Sequence, residues 1–150
     1  MGLRKDYLWI GLSYLVAMLV AVFVFINTSA EISLVRILIA DVAATIVVFG
    51  FSLSFRNSSF YDAYWSVAPI VIAVTLLIHS RDSNVVRQFM VTGLILVWGI
   101  RLTLNWAYGW QGLKHEDWRY IKLQRQTGIF WWPVSFLGVH LFPTVIVFIG

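Results

Sequence analysis

Five apolar runs, each near the length that a helix needs to cross a bilayer, set the main constraint on this sequence. The hydrocarbon core of a bilayer takes about 20 helical residues. The runs cover residues 8–26, 34–55, 65–79, 89–108 and 129–149. In lipid a spanning segment must satisfy its own backbone hydrogen bonds, and a helix does this without neighbours. The sequence therefore predicts an all-α fold, a polytopic transmembrane helical bundle with about five spans.

The composition excludes several other classes of protein. Of 150 residues, 60% are apolar and only 12% are charged, which lies outside the range of soluble domains. The net charge is +4, but the basic residues are scattered between the apolar runs, so we expect no nucleic-acid partner. The chain contains no cysteine, and its histidines are isolated from one another (His79, His115 and His140). We therefore expect no metal site.

The distribution of Lys and Arg predicts the orientation in the membrane. With five spans, the N-terminus and the connections 56–64 and 109–128 share one side of the bilayer. That side carries seven basic residues, Arg4, Lys5, Arg56, Lys114, Arg119, Lys122 and Arg125. The other side carries three, Arg36, Arg81 and Arg87. Because short cytoplasmic loops are enriched in Lys and Arg, we expect a multi-pass protein with a cytoplasmic N-terminus.

Arg101 lies well inside the fourth run, where an arginine costs on the order of 3 kcal/mol and should face protein or water. Trp98, Arg101, Asn105 and Tyr108 are spaced by 3, 4 and 3 residues, so they share one side of a helix. This stripe predicts one wall of a cavity with anion-binding and hydrogen-bonding groups. The alternative is that Arg101 only pairs with an acid elsewhere in the bundle.

Asp41 is the acid that the second run places within the membrane, where an unpaired carboxylate is costly. Three interpretations are open. Asp41 forms an ion pair with Arg101, or is a buried neutral acid that can donate a proton, or lies near the membrane interface and does little.

Two polar clusters fall on the predicted cytoplasmic side. The first is RNSSFYDAYWSVAP, from Arg56 to Pro69, and the second is NWAYGWQGLKHEDWRYIKLQRQTG, from Asn105 to Gly128. Taken singly, their residues are typical of turns, helix caps and an aromatic belt at the interface. Acids, however, contribute little to orientation, so Glu116 and Asp117 are not explained by membrane anchoring. We therefore expect the two clusters to meet at one mouth of the bundle.

Three blocks of the sequence resemble the N-terminal and middle parts of the steroid 5-alpha-reductase-like membrane proteins. They are FGFSLSFRNSSFYDAYWSVAP, LVWGIRLTLNWAYGWQGLKHEDWRYIKLQRQTG and FLGVHLFPT. The middle block is the specific one, with its Trp-Gly-x-Arg-Leu helix followed by Glu-Asp-Trp-Arg-Tyr and a basic segment. The resemblance covers the chain from about Ser33 to the end. It implies a membrane enzyme that uses NADPH to reduce the carbon–carbon double bond of an enone in a steroid-like or other lipid.

The resemblance also implies roles for individual residues. A tyrosine or a neutral acid would donate a hydrogen bond to the enone carbonyl, and the catalytic candidates are Tyr61, Tyr64 and Asp41. A nucleotide would sit at the cytosolic mouth, with Arg119 on a phosphate and an adjacent acid holding it. The candidates for cofactor binding are Arg101, Asn105, Tyr108, Glu116, Asp117, Arg119 and Tyr120.

Members of that group continue well beyond the point where this sequence ends, at VIVFIG. We therefore expect a single transmembrane domain over residues 1–150 that is incomplete at its C-terminus. Two alternatives to the reductase remain open. One is an S-adenosylmethionine-dependent methyltransferase of the isoprenylcysteine carboxyl methyltransferase type, a more distant relative with a similar bundle. The other is a non-catalytic membrane protein. The sequence leaves the oligomeric state open.

Overall fold

The structure, a computed structural model, describes residues 2–29, 33–79 and 84–150, and they form helices joined by short connections. The long helices are α1 (Leu3–Asn27), α2 (Ser33–Phe55), α3 (Tyr64–His79) and α4 (Val85–Gly109). The shorter ones are α5 (Trp118–Thr127), α6 (Trp131–Val134) and α7 (Phe142–Ile149). Two 3₁₀ turns (Ser58–Phe60 and Gly128–Phe130) and a π-helix (Ser135–Leu141) complete the described part.

The predicted all-α, polytopic architecture is confirmed. Among the described residues, five helical segments are long and apolar enough to cross a membrane, Leu3–Asn27, Leu34–Phe55, Ser58–His79, Val85–Gly109 and Trp118–Ile149. Large apolar side chains such as Leu8, Leu19 and Leu94 are exposed on these helices, as expected for surfaces that face lipid. The molecule therefore has the features of a multi-pass integral membrane protein.

The connection 109–128 differs from the expected loop because its second half is helical. Asp117 caps the N-terminus of α5 by accepting a hydrogen bond from the Arg119 backbone N–H. Gly128, with φ of 54°, ends this helix in a conformation that favours glycine. The helical segment of the fifth span therefore begins at Trp118 rather than at Ile129.

The chain divides into two compact units, and the first comprises Met1–Asp62 and Gln111–Gly150. Within it α1 packs along α2. Their buried residues recur at helical spacing, with Ile10, Ser13 and Ala17 on α1 and Ile37, Ala40, Ala44 and Val48 on α2. Small side chains at such positions let two helix backbones approach closely, which supplies packing energy where lipid offers no hydrophobic driving force.

The second unit, Ala63–Trp110, is the helix pair α3 and α4. Pro69 lies within α3, yet the helix continues unbroken to His79. Ser66 and Thr103 join the two helices through their hydroxyls, 2.8 Å apart, and the rings of Trp65 and Trp98 meet edge to face. Gly99 lies at the same contact, where a Cβ atom would come within 2.6 Å of the Ser66 carbonyl oxygen. Glycine is therefore required at this crossing.

The orientation of the bundle remains a prediction, and the absence of native cysteine makes it measurable. We expect Lys114→Cys to react with a membrane-impermeant maleimide only in inverted vesicles, because short connections rich in Lys and Arg are typical of the cytoplasmic side. Val86→Cys, exposed in the first turn of α4, should react only on intact cells. The reverse pattern would show that the N-terminus is external. Arg81, one of the residues in the charge count, lies outside the described residues.

Candidate functional site

Parts of the two polar clusters of the sequence meet in the first unit, where we call residues 57–60, 62 and 112–120 the polar cap. Asn57 Nδ2 donates to the carbonyl oxygens of Leu113, at 2.8 Å, and of His115, at 3.3 Å. The Ser58 backbone N–H donates to Glu116 Oε1 over 2.7 Å. These contacts hold residues 113–116 against the segment that follows α2.

Local backbone geometry explains why Asn57 can serve both segments. Arg56 takes a left-handed conformation, with φ of 51°, and so turns the chain out of α2. The Asn57 side chain then accepts from the Ser59 backbone N–H through Oδ1 and caps the 3₁₀ turn. Its amide nitrogen is left to donate across to the connection. One buried side chain therefore organises both halves of the polar cap.

Asp62 has a different partner from the one that its sequence position suggests. An aspartate just before an apolar helix is typical of an N-cap. In the structure, Asp62 Oδ1 accepts a hydrogen bond from the Tyr120 hydroxyl over 2.6 Å. Tyr120, a predicted cofactor residue, therefore ties α5 to the polar cap.

Asp6, which the sequence analysis did not single out, also holds the polar cap. It is buried in the first turn of α1, and its Oδ2 accepts from the Leu113 backbone N–H over 3.1 Å. Gly112 beside it has φ of 92°, and a Cβ atom there would lie 2.7 Å from the same oxygen. The close approach of α1 to the connection therefore depends on this glycine.

Asp117 and Arg119 form a two-point ion pair on the exposed side of the polar cap. Arg119 Nε and Nη2 each donate over 2.9 Å, to Asp117 Oδ1 and Oδ2 respectively. This hydrogen bonding is the main reason that the pKa of Asp117 lies below its usual value. An arginine has five N–H donors, so the pair fixes the orientation of Arg119 and leaves others for an anion.

Glu116 is half-buried, and burial raises its pKa above the usual value although the Ser58 N–H opposes the shift. A carboxyl group with a raised pKa in the folded state binds its proton more tightly there than in the unfolded chain. Its contribution to stability is therefore present below the unfolded pKa and is lost as pH rises through the folded pKa.

We expect Glu116→Gln to remove this loss of stability, because the amide oxygen can still accept from Ser58 but carries no charge. The variant should be more stable than the native protein at neutral pH, and the difference should vanish in acid. Asp117→Asn should behave in the opposite way, with a deficit at neutral pH that disappears as pH falls through the lowered pKa of Asp117. Thermal unfolding followed from acidic to neutral pH measures both. If the unfolding temperatures of the native protein and of Glu116→Gln change with pH in the same way, the pKa of Glu116 is not raised in the folded state.

Beneath the polar cap lies a second group of buried polar side chains, which we call the hydroxyl cluster. Its members all belong to the first unit and are Thr45, Ser52, Ser58, Tyr61, Ser135, His140 and Thr144. Ser58 connects the two groups, since its hydroxyl lies 3.2 Å from that of Ser135. The hydrogen bonds therefore extend from the polar connection into the membrane-spanning part of the unit.

Thr144 is the centre of one half of the cluster. Its hydroxyl donates to the His140 carbonyl oxygen one helical turn earlier, over 2.9 Å. The Thr144 hydroxyl oxygen lies 2.7 Å from the Tyr61 hydroxyl and 2.9 Å from the Thr45 hydroxyl. Because a hydroxyl has one proton, Tyr61 and Thr45 are the donors in these two contacts. Tyr61 is therefore held in one orientation by a partner on the last span.

His140 is the centre of the other half. Its Nδ1 lies 3.0 Å from the Ser135 carbonyl oxygen, which can only accept, so Nδ1 carries the proton. Its Nε2 lies 3.0 Å from the Ser52 hydroxyl, which also lies 3.2 Å from the Val48 carbonyl oxygen. The imidazole ring also contacts the Tyr61 ring, with 4.9 Å between their centroids. His140, isolated in the sequence, is thus fully buried among polar partners in the structure.

The π-helix Ser135–Leu141 brings His140 and Ser135 into this arrangement. Its wider turn lets the His140 side chain reach a carbonyl five residues earlier. Such wide turns occur mostly as short insertions in α-helices and are frequent at functional sites. The π-helix could not be predicted, because a single serine and a single histidine in an apolar run are also common in ordinary α-helices.

The predicted catalytic residues fall in both units. Tyr61 is 2% exposed, and Asp41 lies buried in the same unit, close enough to interact with it electrostatically. Tyr64 is buried in the second unit. The ion pair proposed between Asp41 and Arg101 involves one residue of each unit and stays a prediction.

The predicted cofactor residues divide in the same way. Glu116, Asp117, Arg119 and Tyr120 belong to the polar cap and hence to the first unit. Arg101, Asn105 and Tyr108 lie on the exposed side of α4 in the second unit, and Tyr108 is 97% exposed. The helical spacing thus does place these three on one face, while their role in binding stays a prediction.

Comparison with known proteins identifies a family. The family described as "Protein of unknown function (DUF1295)" matches residues 48–149. This range contains the polar cap except for its contact with Asp6, and the hydroxyl cluster except for Thr45. No curated protein and no solved structure matches the chain.

Proposed function

The chain belongs to this family of proteins of unknown function, and we propose that it is a membrane-embedded, NAD(P)H-dependent reductase. Its substrate class would be a steroid-like or other lipid enone, in which it reduces the carbon–carbon double bond. The proposal extends the resemblance to steroid 5-alpha-reductase-like proteins, carried by blocks of sequence that lie largely within the matched residues.

The observation that carries the proposal is the environment of Tyr61. Its phenol is a hydrogen-bond donor, lies in a segment apolar enough to span the membrane, and has Asp41 and Thr144 as neighbours. Reduction of an enone places negative charge on the carbonyl oxygen, and an oriented donor in a site without water stabilises that charge strongly. A tyrosine at membrane depth is suited to a carbonyl group carried by a lipid.

The expected chemistry is conjugate reduction. A hydride adds to the β carbon of the enone, the electrons of the double bond move to the carbonyl oxygen, and the Tyr61 hydroxyl turns from Thr144 to donate to that oxygen. The α carbon then takes one proton from solvent, so one hydride and one proton together convert the enone to the saturated ketone. Tyr61 thus stabilises the enolate while Thr144 accepts its hydrogen in the resting state.

The polar cap offers groups that fit a phosphate-bearing cofactor. Arg119 is oriented by Asp117 and retains donors for a phosphate oxygen. Lys114 and His115 are exposed on the same connection. When bound, NADPH supplies the hydride. The residues of the polar cap would bind its phosphates and keep it at the polar end of the unit.

The direct test is binding by the full chain in detergent, followed by turnover. We expect NADPH to raise the unfolding temperature, since a ligand that binds only the folded state at a hundredfold excess over its Kd stabilises by about 2.7 kcal/mol. A steroid carrying a conjugated enone should then cause oxidation of NADPH. Stabilisation by S-adenosylmethionine alone would favour the methyltransferase. Stabilisation by neither would favour a non-catalytic protein and would overturn the proposal.

Arg119→Ala should weaken NADPH binding by roughly ten- to a hundredfold, because a charge-assisted hydrogen bond contributes about 1.5 to 3 kcal/mol. Arg125→Ala is the matched control, since Arg125 is exposed on the same helix but lies farther from the polar cap contacts. Isothermal titration or thermal shift gives both affinities. Equal losses of NADPH affinity in the two variants would mean that α5 attracts the nucleotide only through its net positive charge.

A further inference from the structure

Helix α5 has two faces of different character. With 100° between successive residues, Tyr120, Leu123 and Thr127 share one face, and these side chains are partly buried. Trp118, Ile121, Lys122 and Arg125 share the opposite face and are exposed, Trp118 by 69%. We call this second set the outer face of α5. It combines apolar and basic side chains on one surface.

Helix α5 is the first part of the fifth candidate span. The turn at Gly128 joins it to the apolar remainder of that span. Ile129 and Phe130 follow that turn and are 90% and 65% exposed. Tryptophan is enriched at the level of the lipid headgroups, and long basic side chains reach from apolar surroundings to the polar layer. A mixed outer face of this kind is suited to the interface and not to the aqueous phase.

The charge of the outer face is not neutralised within the described part of the chain. Arg119 is paired with Asp117, so these two charges cancel. The side chains of Lys122 and Arg125, by contrast, have no hydrogen bond or ion pair to any described residue. Two positive charges beside Trp118 and Ile121 therefore complement a negatively charged surface that also has an apolar layer below it.

We propose that the outer face of α5 binds the headgroups of anionic phospholipids at one surface of the bilayer. Lys122 and Arg125 contact the headgroup phosphates and carboxylates, while Trp118 and Ile121 insert between the upper parts of the lipid chains. The opposite face remains attached to the protein through the Tyr120–Asp62 hydrogen bond. This lipid site does not depend on the proposed reductase activity.

The test uses a fluorophore on a single cysteine, Gln126→Cys, in the full chain reconstituted into vesicles of phosphatidylcholine and phosphatidylserine. Gln126 is exposed on α5 beside the outer face, and the chain has no other cysteine. Headgroup-labelled nitroxide lipids of each type then report which lipid lies next to the helix. We expect stronger quenching by the serine lipid, and a weaker preference at high salt, because ions screen exposed charges.

Neutralising the outer face should remove the preference. Lys122→Gln combined with Arg125→Gln should reduce it by about fivefold for each charge, the equivalent of about 1 kcal/mol per basic residue at an anionic surface. Arg87→Gln, which removes an exposed charge from the first turn of α4, is the control and should leave the preference unchanged.

Three results would overturn the proposal. The first is equal quenching by the two lipids in the native sequence, and the second is a preference that survives the double substitution. The third is loss of the preference on adding soluble pyrophosphate at constant ionic strength, which would show that the face binds free phosphate groups. The outcome is separable from that of the NADPH experiment, because Lys122 and Arg125 make none of the contacts of the polar cap.

Discussion

Tyr61→Phe should lower the rate of enone reduction by about 10²- to 10⁴-fold, the range expected when a positioned proton or hydrogen-bond donor is removed. The substitution deletes one oxygen atom and keeps the ring that contacts His140. Thr144 keeps its bonds to Thr45 and to the His140 carbonyl oxygen, so the variant should fold. The measurement is kcat, with NADPH affinity determined separately on the same preparation.

The matched control is Tyr14→Phe. Tyr14 also lies in the first unit, and its hydroxyl donates to the Phe60 carbonyl oxygen over 2.9 Å. Removal of that hydroxyl costs a hydrogen bond of similar kind, to the Phe60 backbone instead of to Thr144. A rate for Tyr61→Phe as high as that for Tyr14→Phe would show that Tyr61 is not the donor, whether or not the protein binds NADPH.

Gly99→Val should destabilise the α3–α4 pair by about 3 kcal/mol, at the upper end of the usual cost of overpacking. The first added carbon would lie 2.6 Å from the Ser66 carbonyl oxygen and 2.7 Å from Ile70 Cδ1. The first of these is a backbone atom, so relief requires that one helix moves. That movement would also strain the hydrogen bond between Ser66 and Thr103.

Gly93→Val is the control for this effect. Gly93 lies on the same helix, and a Cβ atom there would meet nothing within 4 Å. Both variants make the same change in helix propensity, so the difference in their unfolding midpoints isolates the contact. Tryptophan fluorescence in a denaturant titration can follow it, because Trp65 and Trp98 form a ring pair across the same two helices. Equal midpoints would mean that α3 and α4 are not in close contact at Gly99.

The membrane spans could be predicted because hydropathy is a local property, visible in each run without knowledge of its neighbours. The meeting of the two polar clusters could also be predicted, since the charge count places both on one side. The hydrogen bonds that hold the two clusters together could not be predicted. Asp6 in a first helical turn suggests only a favourable interaction with the helix dipole. Its partner Leu113 is 107 residues away.

The hydroxyl cluster could not be predicted from the sequence for a related reason. A serine or threonine within an apolar run usually bonds to the carbonyl one turn earlier, as Ser54 and Thr75 do here with Gly50 and Val71. Thr45 and Ser52 look no different in the sequence, and Ser52 also lies within bonding distance of the Val48 carbonyl oxygen one turn earlier. Their side-chain partners, Thr144 and His140, lie 99 and 88 residues farther along. Only the packing of α2 against the last span distinguishes these residues from ordinary ones.

The π-helix gives the last span two separate requirements. For insertion into lipid, only length and apolarity matter, and the loss of one residue such as Gly138 would change neither appreciably. For the hydroxyl cluster, the width of the turn matters. Such a deletion would let the segment close into an α-helix, and His140 would lose the wide turn that carries its side chain to a carbonyl five residues earlier. The wide turn takes up the residue that is lost, so Thr144 would keep its side of the span, and the change would fall on the His140 half of the cluster. Substitutions in this segment can therefore be tolerated where a change in its residue count cannot.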